Sequence, residues 1–205
     1  THLARAPEAP VPQAEARAGR FPLTANPSPV ADDEREAVLA SLHFGNAFTD
    51  HMAHARWRQS EGWGDYGVIP HGSLSLSPAA AVLHYGQEIF EGIKAYRPED
   101  GSVWTFRPRY NAARLNASAR RMALPELAEE DFVASLVDLV RADAAWVPSG
   151  EGESLYLRPL AFAPEAFLGV RPSAVVAYHA IPSPPAPSLP HRFAPLSPSA
   201  HTHPP

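Results

Sequence analysis

The sequence predicts an α+β domain over about residues 21–180, and three observations support this. The segment Glu129 to Trp146 has apolar residues at helical spacing, which predicts a helix with one face on a core. The turn Pro98-Glu99-Asp100-Gly101 separates two short β-prone runs and therefore predicts a hairpin. Further short β-prone runs, broken by Gly or Pro, occupy residues 44–76, 154–162 and 173–178.

Three more helices are predicted between these strands. Residues 32–42 begin with acidic side chains, which favour a helix N-terminus. Ser77-Pro78 is expected to open a second helix that Gly92 closes, because serine caps helix N-termini and proline suits the first helical position. Asn111 is expected to cap a third helix that runs to about Met122.

The two ends of the chain differ in composition from the predicted domain. Residues 1–20 are rich in Ala, Pro, Glu and Arg without periodicity, which predicts a disordered extension. Residues 181–205 contain nine prolines in twenty-five positions, so nearly every possible strand or helix is interrupted. We therefore expect an irregular tail there.

Composition narrows the classes of function. The formal net charge is −5, so no basic surface is expected to attract nucleic acid or an anionic membrane. No apolar run approaches the ~20 residues of a membrane span, and no secretory signal is recognised at the N-terminus. Cysteine is absent, which excludes disulfides and thiolate metal sites within these residues. We expect a cytoplasmic protein with no metal site.

Tyr156 and Arg158 are the strongest candidates for chemistry that the pattern alone provides. On a predicted strand their side chains point to one face, while Leu155 and Leu157 point to the other. A tyrosine hydroxyl beside a guanidinium suits recognition of a carboxylate or phosphate. The alternative is an ordinary solvated outer face, and the pattern alone favours this alternative.

Lys94 is the only lysine in the chain and could be imagined as an amine that forms a Schiff base. It follows Glu88 and Glu91 closely and lies in a predicted strand. An ordinary ion pair is the interpretation that this setting favours.

Two further candidates have competing interpretations. Arg114 lies in the third predicted helix, where it could reach a phosphate but could equally cover the surface with its stem. His51 and His54 would share a helix face and could bind zinc, but the segment is predicted to be a strand, which separates them.

Taken together, seven blocks resemble branched-chain amino-acid aminotransferases in order and spacing. They are Phe44 to Met52, Leu83 to Tyr85, Phe90 to Arg97, Phe106 to Arg114, Trp146 to Pro148, Ser154 to Pro159, and Leu168 to Val170. Members of this class-IV family are homodimeric pyridoxal-phosphate (PLP) enzymes with two domains. The resemblance implies that residues 21–180 form the small N-terminal domain of fold type IV, mainly an antiparallel sheet with flanking helices.

The resemblance also implies roles for individual residues. Arg114 would bind the PLP phosphate. Seven residues would surround the substrate: Phe44, Tyr85, Phe90, Tyr156, Arg158, Leu168 and Val170. Phe44, Tyr85 and Phe90 would form an apolar pocket. Tyr156 and Arg158 would accommodate a carboxylate. Leu168 and Val170 would lie on a loop that closes the neighbouring subunit's pocket, and Tyr85 would also reach across the dimer.

The implied reaction transfers an amino group from leucine, isoleucine or valine to 2-oxoglutarate, which gives a branched 2-oxo acid and glutamate. The family's PLP-binding lysine is expected beyond position 205, so we expect this chain to be inactive alone. Residues 181–205 do not resemble the family, and one hypothesis is out-of-frame translation of a GC-rich gene. Two alternatives stay open: a non-catalytic fragment or pseudogene product, and another class-IV enzyme such as a D-amino-acid aminotransferase or aminodeoxychorismate lyase.

Overall fold

The computed structural model describes residues 19–41, 45–150 and 152–184. Within them lie four α-helices, α1 (Asp32–Ser41), α2 (Ala81–Tyr85), α3 (Pro108–Arg121) and α4 (Glu129–Ala142). The strands are β1 (His51–Arg58), β2 (Gly62–Pro70), β3 (Glu88–Phe90), β4 (Ile93–Tyr96), β5 (Trp104–Thr105), β6 (Leu155–Phe162) and β7 (Val175–Ser183). A short 3₁₀ turn, Ala144–Trp146, follows α4.

The strands form one sheet in the order β2-β1-β7-β6-β4-β5, with β3 also paired to β6. Every strand pairing in this sheet is antiparallel. The predicted α+β domain with a mainly antiparallel sheet and flanking helices is therefore confirmed. The hairpin predicted around Pro98–Gly101 is also present, as the connection between β4 and β5.

One face of the sheet builds the core. Alternation along β6 buries Leu155 and Leu157 completely. The central strand β7 contributes Val176 and Tyr178 to the same core, and helix α4 covers it with a face that includes Phe132, Leu136 and Leu139. The Tyr178 hydroxyl lies 2.8 Å from Ser135 Oγ on α4, so the buried phenol has a polar partner. Side chains at alternate positions, including Tyr156 and Arg158, therefore face away from the helices.

Two helix predictions are wrong in their bounds. The helix predicted from Ser77 to Gly92 is only the short α2, which ends at Gly86 with a left-handed φ of 55°. This stretch instead runs beside the chain that follows β6, because Ala81 N donates to Glu165 O and Val82 N to Ala163 O. Such long-range pairing cannot be seen in local sequence.

Helix α3 begins at Pro108, three residues before the predicted cap. Proline suits the first helical position because its missing N–H would have no partner there. Asn111 is consequently a buried residue inside the helix rather than its cap.

Strand β7 extends to Ser183, five residues beyond the predicted strand end at Tyr178, and includes Pro182. The Pro182 carbonyl accepts a hydrogen bond from Thr49 N, so the residue contributes to the sheet as an acceptor. The extension predicted for residues 1–20 and the tail predicted from 181 lie mostly outside the described residues. In the described part of the chain, none of the helices has the length and apolar character needed to cross a bilayer.

Candidate functional site

Tyr156 and Arg158 share one sheet face and contact each other, as their alternation along β6 predicts. Arg158 Nε and Nη2 donate to the Tyr156 hydroxyl over 3.0 and 2.7 Å. The Arg158 guanidinium also lies over the Phe90 ring, 4.5 Å from its centroid, which is cation–π geometry. Three of the predicted substrate residues therefore form one half-buried to exposed cluster rather than separate surface side chains.

Arg114 reaches a neighbouring position from helix α3. Its Nε lies 3.1 Å from Oε1 of Glu91, a carboxylate with only 3% of its side chain exposed. The Arg114 side chain itself is 58% exposed. Among the described residues, the contact with Glu91 is an ion pair without hydrogen-bond geometry, and no hydrogen bond is found from the two Nη groups either. This guanidinium is thus ion-paired to the protein on its Nε side, and its exposed Nη groups can meet an anion.

Phe90-Glu91-Gly92, which we call the 90–92 turn, joins β3 to β4 and contacts all three of these polar side chains. Phe90 lies under Arg158, and Glu91 pairs with Arg114. Gly92 packs against Tyr156, since a Cβ built at Gly92 would lie 2.5 Å from the Tyr156 hydroxyl oxygen. The turn is fixed to β6 by the Glu91 N–H, which donates to the Pro159 carbonyl over 2.8 Å.

Tyr85, Leu168 and Val170 form a second group, on the side of the molecule where α2 meets the connection from β6 to β7. The Tyr85 hydroxyl donates to the Leu168 carbonyl within this chain. Leu168 is 69% exposed and Val170 is 90% exposed. The two apolar side chains are therefore exposed on the connection from β6 to β7.

Glu165 holds the base of that loop. Its carboxylate accepts hydrogen bonds from Arg171 Nη2 at 2.7 Å, Ser173 Oγ at 3.0 Å and Ala174 N at 2.6 Å. These donors, with Arg171 as the largest contribution, lower the pKa of Glu165 to about 2. Arg171 also lies 3.8 Å from the centroid of the Phe167 ring. Glu165 and its three hydrogen-bond donors, which we call the Glu165 clamp, therefore close the loop. The sequence patterns did not predict this clamp.

Phe44, the remaining predicted substrate residue, lies outside the described residues. Lys94 is exposed on β4, directly opposite Tyr156 on β6. The ion pair predicted for Lys94 is wrong for Glu91, because that carboxylate pairs with Arg114. The contact between Glu91 and Arg114 was not predicted, because the two residues are distant in the sequence and meet only where a strand end packs against a helix.

The two histidines that raised a metal question have different partners. His51 Nδ1 lies 2.6 Å from Asp143 Oδ1, and its Nε2 accepts from Asn26 N. His54 instead lies beside His179 on β7, with ring centroids 4.9 Å apart. Over the described ranges, no group of three or more His, Asp or Glu side chains could hold a metal ion.

The donor groups of Arg114, Tyr156 and Arg158 fit PLP and an amino-acid substrate in part. A guanidinium with one edge open matches the geometry of a phosphate, and Arg158 beside a tyrosine hydroxyl matches that of a carboxylate. The exposed Phe90 ring adds an apolar surface next to them.

Sequence relatives of this chain carry one name. A branched-chain-amino-acid aminotransferase of Mycolicibacterium smegmatis is 54% identical over 165 residues, which cover 80% of this chain and 45% of the relative. A probable branched-chain-amino-acid aminotransferase of Streptomyces coelicolor is 49% identical over 170 residues, or 82% and 47% of the two chains. This chain therefore spans about half the length of the curated relatives it matches.

Solved structures with related folds include a branched-chain aminotransferase from Thermoproteus uzoniensis with norvaline, at 23% identity and a TM-score of 0.48. That match covers 64% of this chain and 41% of the other. A branched-chain amino acid aminotransferase from Escherichia coli is 27% identical, with 62% and 40% coverage and a TM-score of 0.45. No family model matches the chain. On the strength of its sequence relatives, the matched part of this chain belongs to the branched-chain amino-acid aminotransferase family.

Proposed function

We propose that this chain carries the substrate-binding and phosphate-binding part of a branched-chain amino-acid transaminase. The reaction converts leucine, isoleucine or valine and 2-oxoglutarate into a branched 2-oxo acid and glutamate. The observation that carries the proposal is the convergence of Phe90, Tyr156 and Arg158 on one sheet face, with Arg114 linked to the same turn through Glu91. The shared name of the sequence relatives supports the choice of substrate class.

Arg114 would hold the phosphate of PLP, and Arg158 with Tyr156 would hold a substrate carboxylate. Both contacts join a guanidinium to an oxyanion, which makes them charge-assisted and directional. When bound, PLP would supply an electron sink for the chemistry at the substrate Cα. The chain's own contribution is to fix the two anionic ends of the reacting pair, so that the Cα lies between them.

The apolar part of the pocket would come from Phe90, Tyr85 and Phe44. Leu168 and Val170 would extend this surface in a second copy of the chain, so that the working form is a homodimer. Their high exposure, on a loop held by Glu165, supports this assignment. Apolar contacts of this kind discriminate weakly, at roughly 1–3 kcal/mol per methylene, which suits an enzyme that accepts three related side chains.

Lys94 would not be the PLP-binding lysine in this proposal. Its place opposite Tyr156 puts it in the sheet. It matches the lysine of the family's own Phe-Glu-Gly block, which is not the lysine that binds PLP. We expect the purified 205-residue chain to show no PLP-dependent transamination. Turnover that disappears in Lys94→Ala would contradict this expectation.

The test of the family function is a hybrid in which the matched residues of this chain replace those of the Mycolicibacterium smegmatis relative. We expect the hybrid to transaminate L-leucine, L-isoleucine and L-valine with 2-oxoglutarate, and Arg158→Gln to raise the KM for the 2-oxo acid. D-alanine serves as the control substrate, because it reports the D-amino-acid alternative. A folded, PLP-loaded hybrid that prefers D-alanine or turns over neither class would refute the proposal.

A further inference from the structure

Glu91 is a buried carboxylate whose surroundings the proposed roles leave unexplained. Only 3% of its side chain is exposed, and it lies in the 90–92 turn between β3 and β4. An ionised carboxylate is costly to bury unless it is paired and hydrogen-bonded. The Glu91 carboxylate therefore needs partners for both of its oxygens.

Both oxygens of Glu91 are used, and both partners come from helix α3. Asn111 Nδ2 donates to Oε2 over 2.9 Å, and Arg114 Nε lies 3.1 Å from Oε1. Asn111 and Arg114 are three residues apart, so they lie on one face of the helix. Asn111 Nδ2 also lies 3.2 Å from the Gly92 carbonyl, which fixes the helix against the turn.

The geometry at Arg114 divides its guanidinium into two edges. The Nε atom lies in ion-pair contact with Glu91, and the side chain is nevertheless 58% exposed. The guanidinium is a rigid planar fork, so an ion pair at Nε also restrains the positions of the two Nη groups. The Tyr110 ring, 5.9 Å from the guanidinium carbon, gives a second contact along the same helix.

We propose that Glu91 is a positioning residue, which orients Arg114 so that its Nη edge receives a phosphate monoester. The inference rests on the proposed function, because that function assigns the phosphate to Arg114. Glu91 itself does not touch the phosphate. Its negative charge opposes anion binding, so its benefit must come from orientation and not from net charge.

This opposition of charge and orientation gives Glu91→Gln opposite expected effects under the two explanations. The substitution removes one negative charge beside Arg114, so a site governed by net charge would bind phosphate more tightly. A site governed by orientation would bind phosphate more weakly. The sign of the change therefore distinguishes a positioning role from a net-charge effect, and exchange of the Arg114 Nε–H reports the orientation itself.

The experiment titrates the full 205-residue chain with inorganic phosphate and follows the arginine Nε–H signals by NMR. We expect the Arg114 Nε–H to exchange slowly in the unsubstituted chain and to shift on phosphate addition. Glu91→Gln should weaken phosphate binding by about tenfold or more and speed exchange of this proton. Glu126→Gln is the matched control, because it removes another carboxylate paired to an arginine of α3, 2.6 Å from Arg120, and it should leave binding unchanged.

Each outcome decides a different question. Equal or tighter phosphate binding in Glu91→Gln, or rapid exchange of Arg114 Nε–H in the unsubstituted chain, overturns the positioning role. Phosphate binding that survives Arg114→Gln, or is absent from the unsubstituted chain, overturns the proposed phosphate role of Arg114 itself. Asn111→Ala provides a second variant that keeps the Glu91 charge, and it should give an intermediate loss of affinity.

Discussion

At the scale of single residues, the candidate site depends on a close approach between Gly92 and Tyr156. A Cβ at Gly92 would lie 2.5 Å from the Tyr156 hydroxyl oxygen and 3.2 Å from two of its ring carbons. The phenol therefore lies against the backbone of the turn, where it can accept the two hydrogen bonds from Arg158. Only glycine leaves room for this arrangement.

Gly92→Ala should displace Tyr156 and cost about 1–3 kcal/mol of stability, as overpacking does in general. Urea unfolding measures the cost, and the Arg158 Nε–H signal reports the loss of the bond to Tyr156. Gly72→Ala is the control, because no atom lies within 4 Å of a Cβ built at Gly72. Equal stability of the two variants would show that Tyr156 does not need this space.

Sequence reasoning succeeds at this scale where the signal is local. The two-residue period of a strand was enough to predict that Tyr156 and Arg158 share a face, and the contact between them confirms it. The pair of Glu91 and Arg114 could not be predicted in the same way. Their separation is set by how the 90–92 turn meets α3, which is a property of the packed molecule.

At the scale of elements, the Glu165 carboxylate joins the two ends of the connection from β6 to β7. The carboxylate closes the segment that carries Leu168 and Val170 by bonding to three groups beyond it. Its low pKa, about 2, means that the stabilisation is complete above the ordinary value of 4.5 and is lost as the pH falls towards 2.

Glu165→Gln should speed hydrogen exchange of the backbone amides in residues 166–174 at neutral pH. The glutamine side chain keeps the shape but loses the charge and one acceptor, so the bonds to Arg171 and Ala174 weaken. Hydrogen-exchange mass spectrometry is the measurement. Glu61→Gln, at an exposed ion pair with Arg58, is the control; unchanged exchange in Glu165→Gln would show that the loop is held by other contacts.

His54 on β1 lies directly opposite His179 on the neighbouring strand β7. Burial, and then the charge of His54, lowers the pKa of His179 from 6.5 to about 4. Burial and the charge of Arg56 lower the pKa of His54, while Asp65 opposes that change. Between about pH 4 and pH 6.5 the unfolded chain binds more protons than the folded one, so acid favours unfolding.

Stability should therefore fall by up to about 3 kcal/mol as the pH drops from 6.5 to 4, since each pKa unit corresponds to about 1.4 kcal/mol. Urea unfolding at several pH values measures this slope, and His179→Leu should flatten it. Val176→Ala is the control: it lies on the same strand and is fully buried, but removes no titrating group. A slope that persists in His179→Leu would assign the effect to other residues.

At the scale of the whole molecule, helix α4 and the sheet share one core. Leu136 is 2% exposed within that core, and Ser135 bonds to Tyr178 of the central strand. The amphipathic pattern of residues 129–146 was sufficient to predict this helix and its buried face. By contrast, the sequence around β7 could not predict that this strand continues through Pro182, because proline ordinarily argues against a central strand.

Leu136→Ala should destabilise the chain by about 2–5 kcal/mol and keep a single unfolding transition, because the cavity opens where helix and sheet meet. Leu83→Ala, at a side chain that is 61% exposed, should have little effect. Circular dichroism and tryptophan fluorescence during urea unfolding provide two probes. Transitions that separate in the variant would show that α4 is not part of the same cooperative unit.

The 90–92 turn has a consequence for how the family can vary its specificity. Its three residues each contact a different site side chain, so substitutions there cannot be independent of changes at Arg114, Tyr156 or Arg158. Residues that share contacts typically show coupling energies of about 0.5–3 kcal/mol in double-mutant cycles. Under the roles proposed above, a substitution of Phe90 that alters selectivity would also disturb carboxylate recognition by Arg158, which favours joint replacement of the turn and its partners in design.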